Sequence, residues 1–203
     1  MFWFIGTKTG VQRGTKIIHN LQRGVIMEIL TLNNNHYSVI KLLGKGKGGY
    51  SYLVTDGGRQ YVLKQIHHEP CSYYQFGNKI EAEIHDYKLI RDAGINIPEM
   101  LDIDIENERI LKEYIDGPTA YSLVLEDKMK PEYIDQIRNM CSLLYPKGLN
   151  IDYFPTNFIL SKNILWYIDY ECNNYMEQWN FENWGIKYWS KTKEFCEYVK
   201  NNG

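Results

Sequence analysis

From Tyr37 onward, apolar and polar positions alternate in short runs parted by glycine: Tyr37 to Leu43, Tyr50 to Thr55 and Tyr61 to Ile66. A period of two marks half-buried strands and the interruptions mark turns, so the pattern predicts an antiparallel meander. Asp56, Gly57 and Gly58 offer the positive-φ positions that a tight hairpin between the second and third strands requires. Over residues 78–93 the period changes. Ile80, Ile84, Tyr87, Leu89 and Ile90 recur at helical spacing until Gly94 breaks the run and Pro98 marks the exit. Two more strands are expected, Met100 to Ile105 and Arg109 to Ile115, around a polar turn at Glu106 to Glu108, before Gly117 and Pro118 stop the sheet. Pro131 suits the first position of a helix that gathers Ile134, Ile137, Met140, Cys141 and Leu144 on one face and ends near Gly148. A short hairpin follows, Phe158 to Leu160 and Ile164 to Ile168, and the aromatic tail from Tyr175 reads as helical. No internal repeat or low-complexity linker interrupts this α+β order.

Composition narrows the classes. A chain of 203 residues with 44% hydrophobic and 24% charged residues has enough apolar surface for one core or two small lobes. No apolar run reaches the length of a membrane-spanning helix, and Met1 to Ile5 is too short for a signal-peptide core, so a cytoplasmic protein is expected. Cys71, Cys141, Cys172 and Cys196 are widely spaced and read as reduced thiols, and the histidines lack metal-ligand spacing. Residues 1–26 carry Lys8, Arg13, Lys16 and Arg23 and no acid, which leaves 19 basic and 25 acidic groups in residues 27–203, a net of −6. That acidic body disfavours nucleic acid as a ligand. The basic extension is expected to precede a true start at Met27, because Gln22, Arg23 and Gly24 can be encoded by a ribosome-binding sequence; the N-terminal mass of the native protein decides it.

Three segments carry candidate chemistry. Gly44, Gly46 and Gly49 form G-x-G-x-x-G between two expected strands, an arrangement that suits a flap over phosphates, although a glycine-rich hairpin is often only a turn. Lys64 ends the apolar strand Tyr61-Val62-Leu63, and Glu83 lies nineteen residues on, within the expected helix, with Glu81 as a competing ion-pair partner. Asp152-Tyr153-Phe154-Pro155-Thr156-Asn157 is followed by a hairpin that delivers Ile168-Asp169-Tyr170-Glu171. Asp152 can orient a hydroxyl and take its proton, while Asn157 and Asp169 offer the hard oxygen ligands that Mg²⁺ prefers. Taken singly, these three read as a cap, a turn former and a strand end.

In this order and spacing, Gly44, Gly46, Gly49, Lys64, Glu83, Asp152, Asn157 and Asp169 resemble the protein-kinase-like superfamily over residues 37–175. The resemblance implies ATP and Mg²⁺ as cofactors. Catalytic roles fall to Asp152, Lys64 and Glu83, phosphate contacts to the three glycines and Lys64, and metal ligation to Asn157 and Asp169. Ile110 to Gly117 resembles the family's hinge, where the backbone of Glu113 and Ile115 would meet adenine and Asp116 the ribose. The implied fold is bilobal and α+β. An N-lobe over about 27–114 holds a five-stranded antiparallel sheet and one helix, a truncated, mainly helical C-lobe covers about 115–203, and the two form a single domain over 27–203.

The branch within the superfamily decides the acceptor. D-x-x-P-x-N and Glu171 after Ile-Asp-Tyr resemble the aminoglycoside and choline phosphotransferases. Only 37 positions separate Ile115 from Asp152, however, which leaves no room for the helical insertion that shapes a small-molecule pocket there. The short lobe and Ala93-Gly94-Ile95-x-x-Pro98 are more similar to minimal atypical serine/threonine kinases, the RIO kinases and the small kinase of the tRNA-threonylcarbamoylation complex. A protein acceptor is therefore favoured over a small molecule, with a nucleotide-binding pseudokinase scaffold as a third class. Asn150 and Ile151 replace the usual His-Arg pair, Ser51 and Phe154 replace a valine and a lysine, and the chain ends 34 residues after Asp169 without an A-P-E segment. A phosphorylated activation loop is accordingly not expected. The tail aromatics, from Tyr175 and Trp179 to Phe195 and Tyr198, are expected to close the bottom of the small C-lobe.

Overall fold

A computed structural model describes residues 15–19, 26–69 and 77–202. Cys71 and most of the basic segment 1–26 lie outside these residues. The chain divides into two compact units, one of residues 1–67 and 102–111, the other of residues 68–101 and 112–203.

The first unit is built on a seven-stranded sheet in the order β1-β2-β3-β4-β5-β7-β6. Its strands are β1 (Thr15–His19), β2 (Ile26–Leu32), β3 (Asn35–Lys45), β4 (Gly49–Thr55), β5 (Gln60–Ile66), β6 (Met100–Asp104) and β7 (Arg109–Glu113), the last two running past the unit's edge. The five strands expected from alternation are all present. The five-stranded count is nevertheless corrected to seven, because β1 and β2 add an antiparallel pair before them. The signal of β1 was hidden in a segment read as a basic extension, and β2 precedes the first clear alternation. Leu30, Leu32, Tyr37, Val54, Leu63 and Leu111 form the core of this unit.

Turn chemistry fixes the register. Gly57 has φ +96°, and Asp56 Oδ1 accepts from the Gly58 and Arg59 amides, both at 2.8 Å, closing the β4–β5 hairpin. Between β2 and β3, Asn33 has φ +50° and its amide donates to Asp104 Oδ2 at 2.9 Å, so β6 is tied to that turn. Asn107 adds two hydrogen bonds to the same carboxylate. Burial alone would raise the Asp104 carboxyl, but the bonds from Asn33 and Asn107 and the nearby Arg109 charge outweigh it and hold it below its ordinary value. A depressed folded pKa contributes stability above the unfolded value and loses it as the pH falls through the folded one. Asp104→Ala is expected to cost this unit about 1–3 kcal/mol at neutral pH. It should also flatten the acid loss of stability below roughly pH 4. Urea melts at several pH values check both effects.

The second unit packs α1 (Lys79–Asp92), α2 (Ala120–Leu125), α3 (Pro131–Leu144) and α4 (Lys193–Asn202) around two small antiparallel sheets. One pairs β8 (Leu149–Ile151) with β11 (Cys172–Asn174), the other β9 (Phe158–Ser161) with β10 (Ile164–Tyr167). Asn78 caps α1 by accepting from the Glu81 amide, and Gly94 at φ +88° ends it, as the periodicity predicts. Gln136 on α3 holds the β9–β10 hairpin, accepting from the Leu165 amide at 2.8 Å and donating to the Asn163 carbonyl at 3.0 Å. The tail is α-helical only over Lys193–Asn202; residues 175–192 fold into short 3₁₀ turns instead. The reason is packing, since Phe181 and Trp189 are each 1% exposed and the chain must wind to bury both. No helix among the described residues is long and apolar enough to cross a membrane.

Candidate active site

Two short ladders in the second unit bring distant residues together. β8 pairs Ile151 with Cys172, so Asp152 and Glu171 stand one residue beyond the end of that antiparallel pair. β10 pairs Tyr167 with Phe158, and the next step places the Ile168 amide on the Asn157 carbonyl at 2.9 Å. The loop 152–157 therefore faces the loop 168–171, and Asp152, Asn157 and Asp169 share one neighbourhood.

The 152–157 loop is shaped by its own residues. Asp152 Oδ1 accepts from the Phe154 amide at 3.0 Å, Pro155 opens a single 3₁₀ turn, and the Asn157 amide donates to the Phe154 carbonyl at 2.9 Å. The Asn157 Nδ2 points to the Asp152 carbonyl at 3.4 Å, which turns the amide oxygen the other way. Asp169 Oδ1 accepts from the Tyr170 amide at 2.8 Å, so this carboxylate is also held by local backbone. The tail supports the loop from below. The buried Trp189 indole donates to the Tyr153 carbonyl at 2.8 Å, and Gly185 lies so close that a Cβ there would sit 2.6 Å from the Tyr153 Cβ. Phe181, Trp189 and Phe195 are buried as the tail reading expects, whereas Tyr175 and Trp179 are exposed.

Tyr167 reports the electrostatics of this centre. Burial raises its phenol well above the ordinary tyrosine value, and the charges of Asp169, Asp152 and Glu171 raise it further. The phenol stays protonated and donates to the Glu171 carbonyl at 2.9 Å. The buried phenol thus feels the negative charge of Asp169, Asp152 and Glu171, which makes its surroundings acidic. Among the described residues no three His, Cys, Asp or Glu side chains group as a metal cluster. Asn157 and Asp169 each carry a hard oxygen of the type that Mg²⁺ accepts when water and phosphate fill its other positions.

Glu83 lies on α1, half-buried, while its competitor Glu81 is exposed. Asp86, one turn along the same face, accepts from the Cys172 amide at 3.1 Å. Glu113 ends β7 with its amide donating to the Glu99 carbonyl at 2.9 Å, and Ile115 is buried just beyond.

In the first unit, Gly44 and Lys45 close the β3 side of the glycine loop opposite Ser51 and Tyr50, and Lys64 pairs with Ser51 from β5. The three glycines differ in what demands them. A Cβ on Gly49 would meet the Gln65 carbonyl oxygen at 2.5 Å, so β5 itself requires glycine there. Gly44 has nothing within 4 Å of such a Cβ, and Gly46 only the Gly49 oxygen at 4.0 Å; neither has a positive φ. The chain's own packing leaves glycine optional at these two positions. His67 Nε2 lies 3.0 Å from the Gly46 carbonyl and ties the loop to the end of β5.

Two contributors escape a sequence reading. Tyr167 follows Leu165 in strand phase and looks like core, and Lys112 stands in an apolar strand where its burial has no local signal.

The molecule is thus a mixed α and β protein whose second unit holds an acidic, oxygen-rich pair of loops. No protein-family model matches the chain. Among curated proteins it is similar to the probable bifunctional tRNA threonylcarbamoyladenosine biosynthesis protein of Methanococcus vannielii, with 30% identity over 90 residues. The match covers 44% of this chain and 16% of that protein, a minor part of the relative's length.

Proposed function

We propose that this chain is an ATP- and Mg²⁺-dependent phosphotransferase of the protein-kinase-like type that phosphorylates a serine or threonine hydroxyl of a protein. Its two units would be the lobes of a bilobal kinase fold. The observation that carries this is the meeting of Asp152, Asn157 and Asp169 through the two ladders, in the order and spacing of the kinase motifs. Support also comes from glycines at 44 and 46 that the chain's packing does not demand, since phosphates approaching the backbone would demand them. The partial likeness to a tRNA threonylcarbamoyladenosine biosynthesis protein agrees with the resemblance to that pathway's small kinase.

In this reading the backbone of Gly44, Gly46 and Gly49 covers the phosphates, and Lys64 neutralises them. The Glu113 carbonyl and the Ile115 backbone receive adenine. Asn157 and Asp169 would hold Mg²⁺, which would supply charge neutralisation at the phosphates. Asp152 orients the acceptor hydroxyl and takes its proton as the oxygen bonds to the γ-phosphorus and ADP leaves. Catalysis by such a centre comes from positioning and electrostatics.

A small-molecule acceptor is the second reading. It is favoured by Glu171, which is exposed one residue beyond the end of the β8–β11 pair, where it would contact a polar acceptor. Incubation of the protein with [γ-³²P]ATP and cell extract separates these outcomes. Label is expected in protein and should be lost in Asp152→Ala and Asp169→Ala. Label in small solutes would select the second reading. Mg²⁺-dependent ATP binding without transfer would define a nucleotide-binding scaffold, and equal labelling by wild type and both variants would refute the site.

A further inference from the structure

Lys112 is 5% exposed on β7, beside the buried Ile110 and Leu111. Taking an ammonium out of water is costly, and an apolar side chain of similar length would fill the same space without that penalty. The contacts it makes are specific. Lys112 Nζ donates to the Ile168 carbonyl at 2.8 Å and sits 3.8 Å from the centroid of the Tyr170 ring. Those two residues flank Asp169. The Ile168 amide in turn donates to the Asn157 carbonyl at 2.9 Å, and the Tyr170 hydroxyl is anchored on the Pro98 carbonyl at 2.7 Å. One buried cation therefore grips the carbonyl of Ile168, the residue whose amide holds the Asn157 carbonyl and whose carbonyl leads into Asp169.

We infer that Lys112 is a positioning residue, whose ammonium, seated over the Tyr170 ring, clamps the Ile168 carbonyl and so fixes the Asp169 carboxylate and the Asn157 amide. Its consequence for metal binding rests on the phosphotransferase reading; the clamp itself concerns only residues 165–172. A charge-assisted hydrogen bond and a cation-π contact act together here. A side chain that merely filled the core would provide neither.

The test compares Lys112→Met, which removes the charge at near-constant length, with Lys112→Arg, which keeps it. In the full chain, amide hydrogen exchange over 165–172 is followed by mass spectrometry, beside ATP affinity with and without Mg²⁺. Lys112→Met is expected to exchange about 10-fold faster at residues 168–170. It should need about 10-fold more Mg²⁺ for half-maximal ATP binding, with metal-free ATP affinity unchanged and most of both effects recovered in Lys112→Arg. Unchanged exchange in Lys112→Met overturns the clamp. So does a loss of metal-free affinity as large as the Mg²⁺ effect with no recovery in Lys112→Arg, which would mark Lys112 as packing alone. Should Lys112→Met fail to fold, Lys112→Arg decides, with near-native exchange supporting the clamp and rapid exchange refuting it. If the unsubstituted protein shows no Mg²⁺-dependent ATP binding, the phosphotransferase reading falls separately, and the exchange comparison still decides the clamp.

Discussion

Asp169→Asn is expected to remove Mg²⁺-dependent ATP binding and reduce phosphoryl transfer at least about 100-fold while leaving the fold intact. Asparagine keeps the Oδ1 that accepts from the Tyr170 amide at 2.8 Å, so the local backbone bond survives the change. What disappears is a full negative charge at a centre where Asp152 and Glu171 stand close enough to perturb the same tyrosine. A hard divalent cation loses more from that change than any structural contact does. Calorimetric ATP titration with and without Mg²⁺, beside a thermal melt, measures both quantities. An Asp169→Asn protein with wild-type Mg²⁺ dependence would end the metal assignment.

Gly117→Ala should be the most damaging single-methyl change in the second unit, at about 3 kcal/mol or more. Gly117 has φ +157°, and a Cβ there would lie 2.1 Å from the Leu160 carbonyl oxygen and 3.0 Å from its carbon. The crowding follows from pairing. The Leu160 amide donates to the Pro118 carbonyl at 2.9 Å, and Thr119 bridges Ile159, so the segment after β7 is laced to β9. Neither backbone can retreat without breaking that lacing, and β9 is the strand that follows Asn157. Loss of soluble protein, or a large drop in the urea midpoint, is the expected result. A midpoint within error of wild type would show that the loop yields more readily than its hydrogen bonds imply.

Much of the fold was legible because its signals are local. The five strands from Tyr37 to Glu113 announce themselves by alternation and by glycine at the turns, and α1 and α3 by apolar spacing and their end residues. The gaps have equally physical causes. β8 and β11 are three residues each, too short for any period to register, and α2 is six residues long. The tail was expected to be helical because its aromatics are dense. Burying Phe181 and Trp189 on the core instead demands turns, and density alone carries no direction.

The candidate site divides along the same line. Sequence by itself singled out the candidate residues, since Asp152, Asn157 and Asp169 stand out by type and spacing, as do the three glycines and Lys64. Only tertiary structure decided that β8–β11 and β9–β10 bring the loops of the first three together, that the buried Tyr167 feels the charges of Asp152 and Asp169, and that Lys112 reaches a carbonyl 56 residues away. Spacing along a chain reports periodicity and turn chemistry. Register between remote strands and the burial of a charge depend on partners that no local window contains.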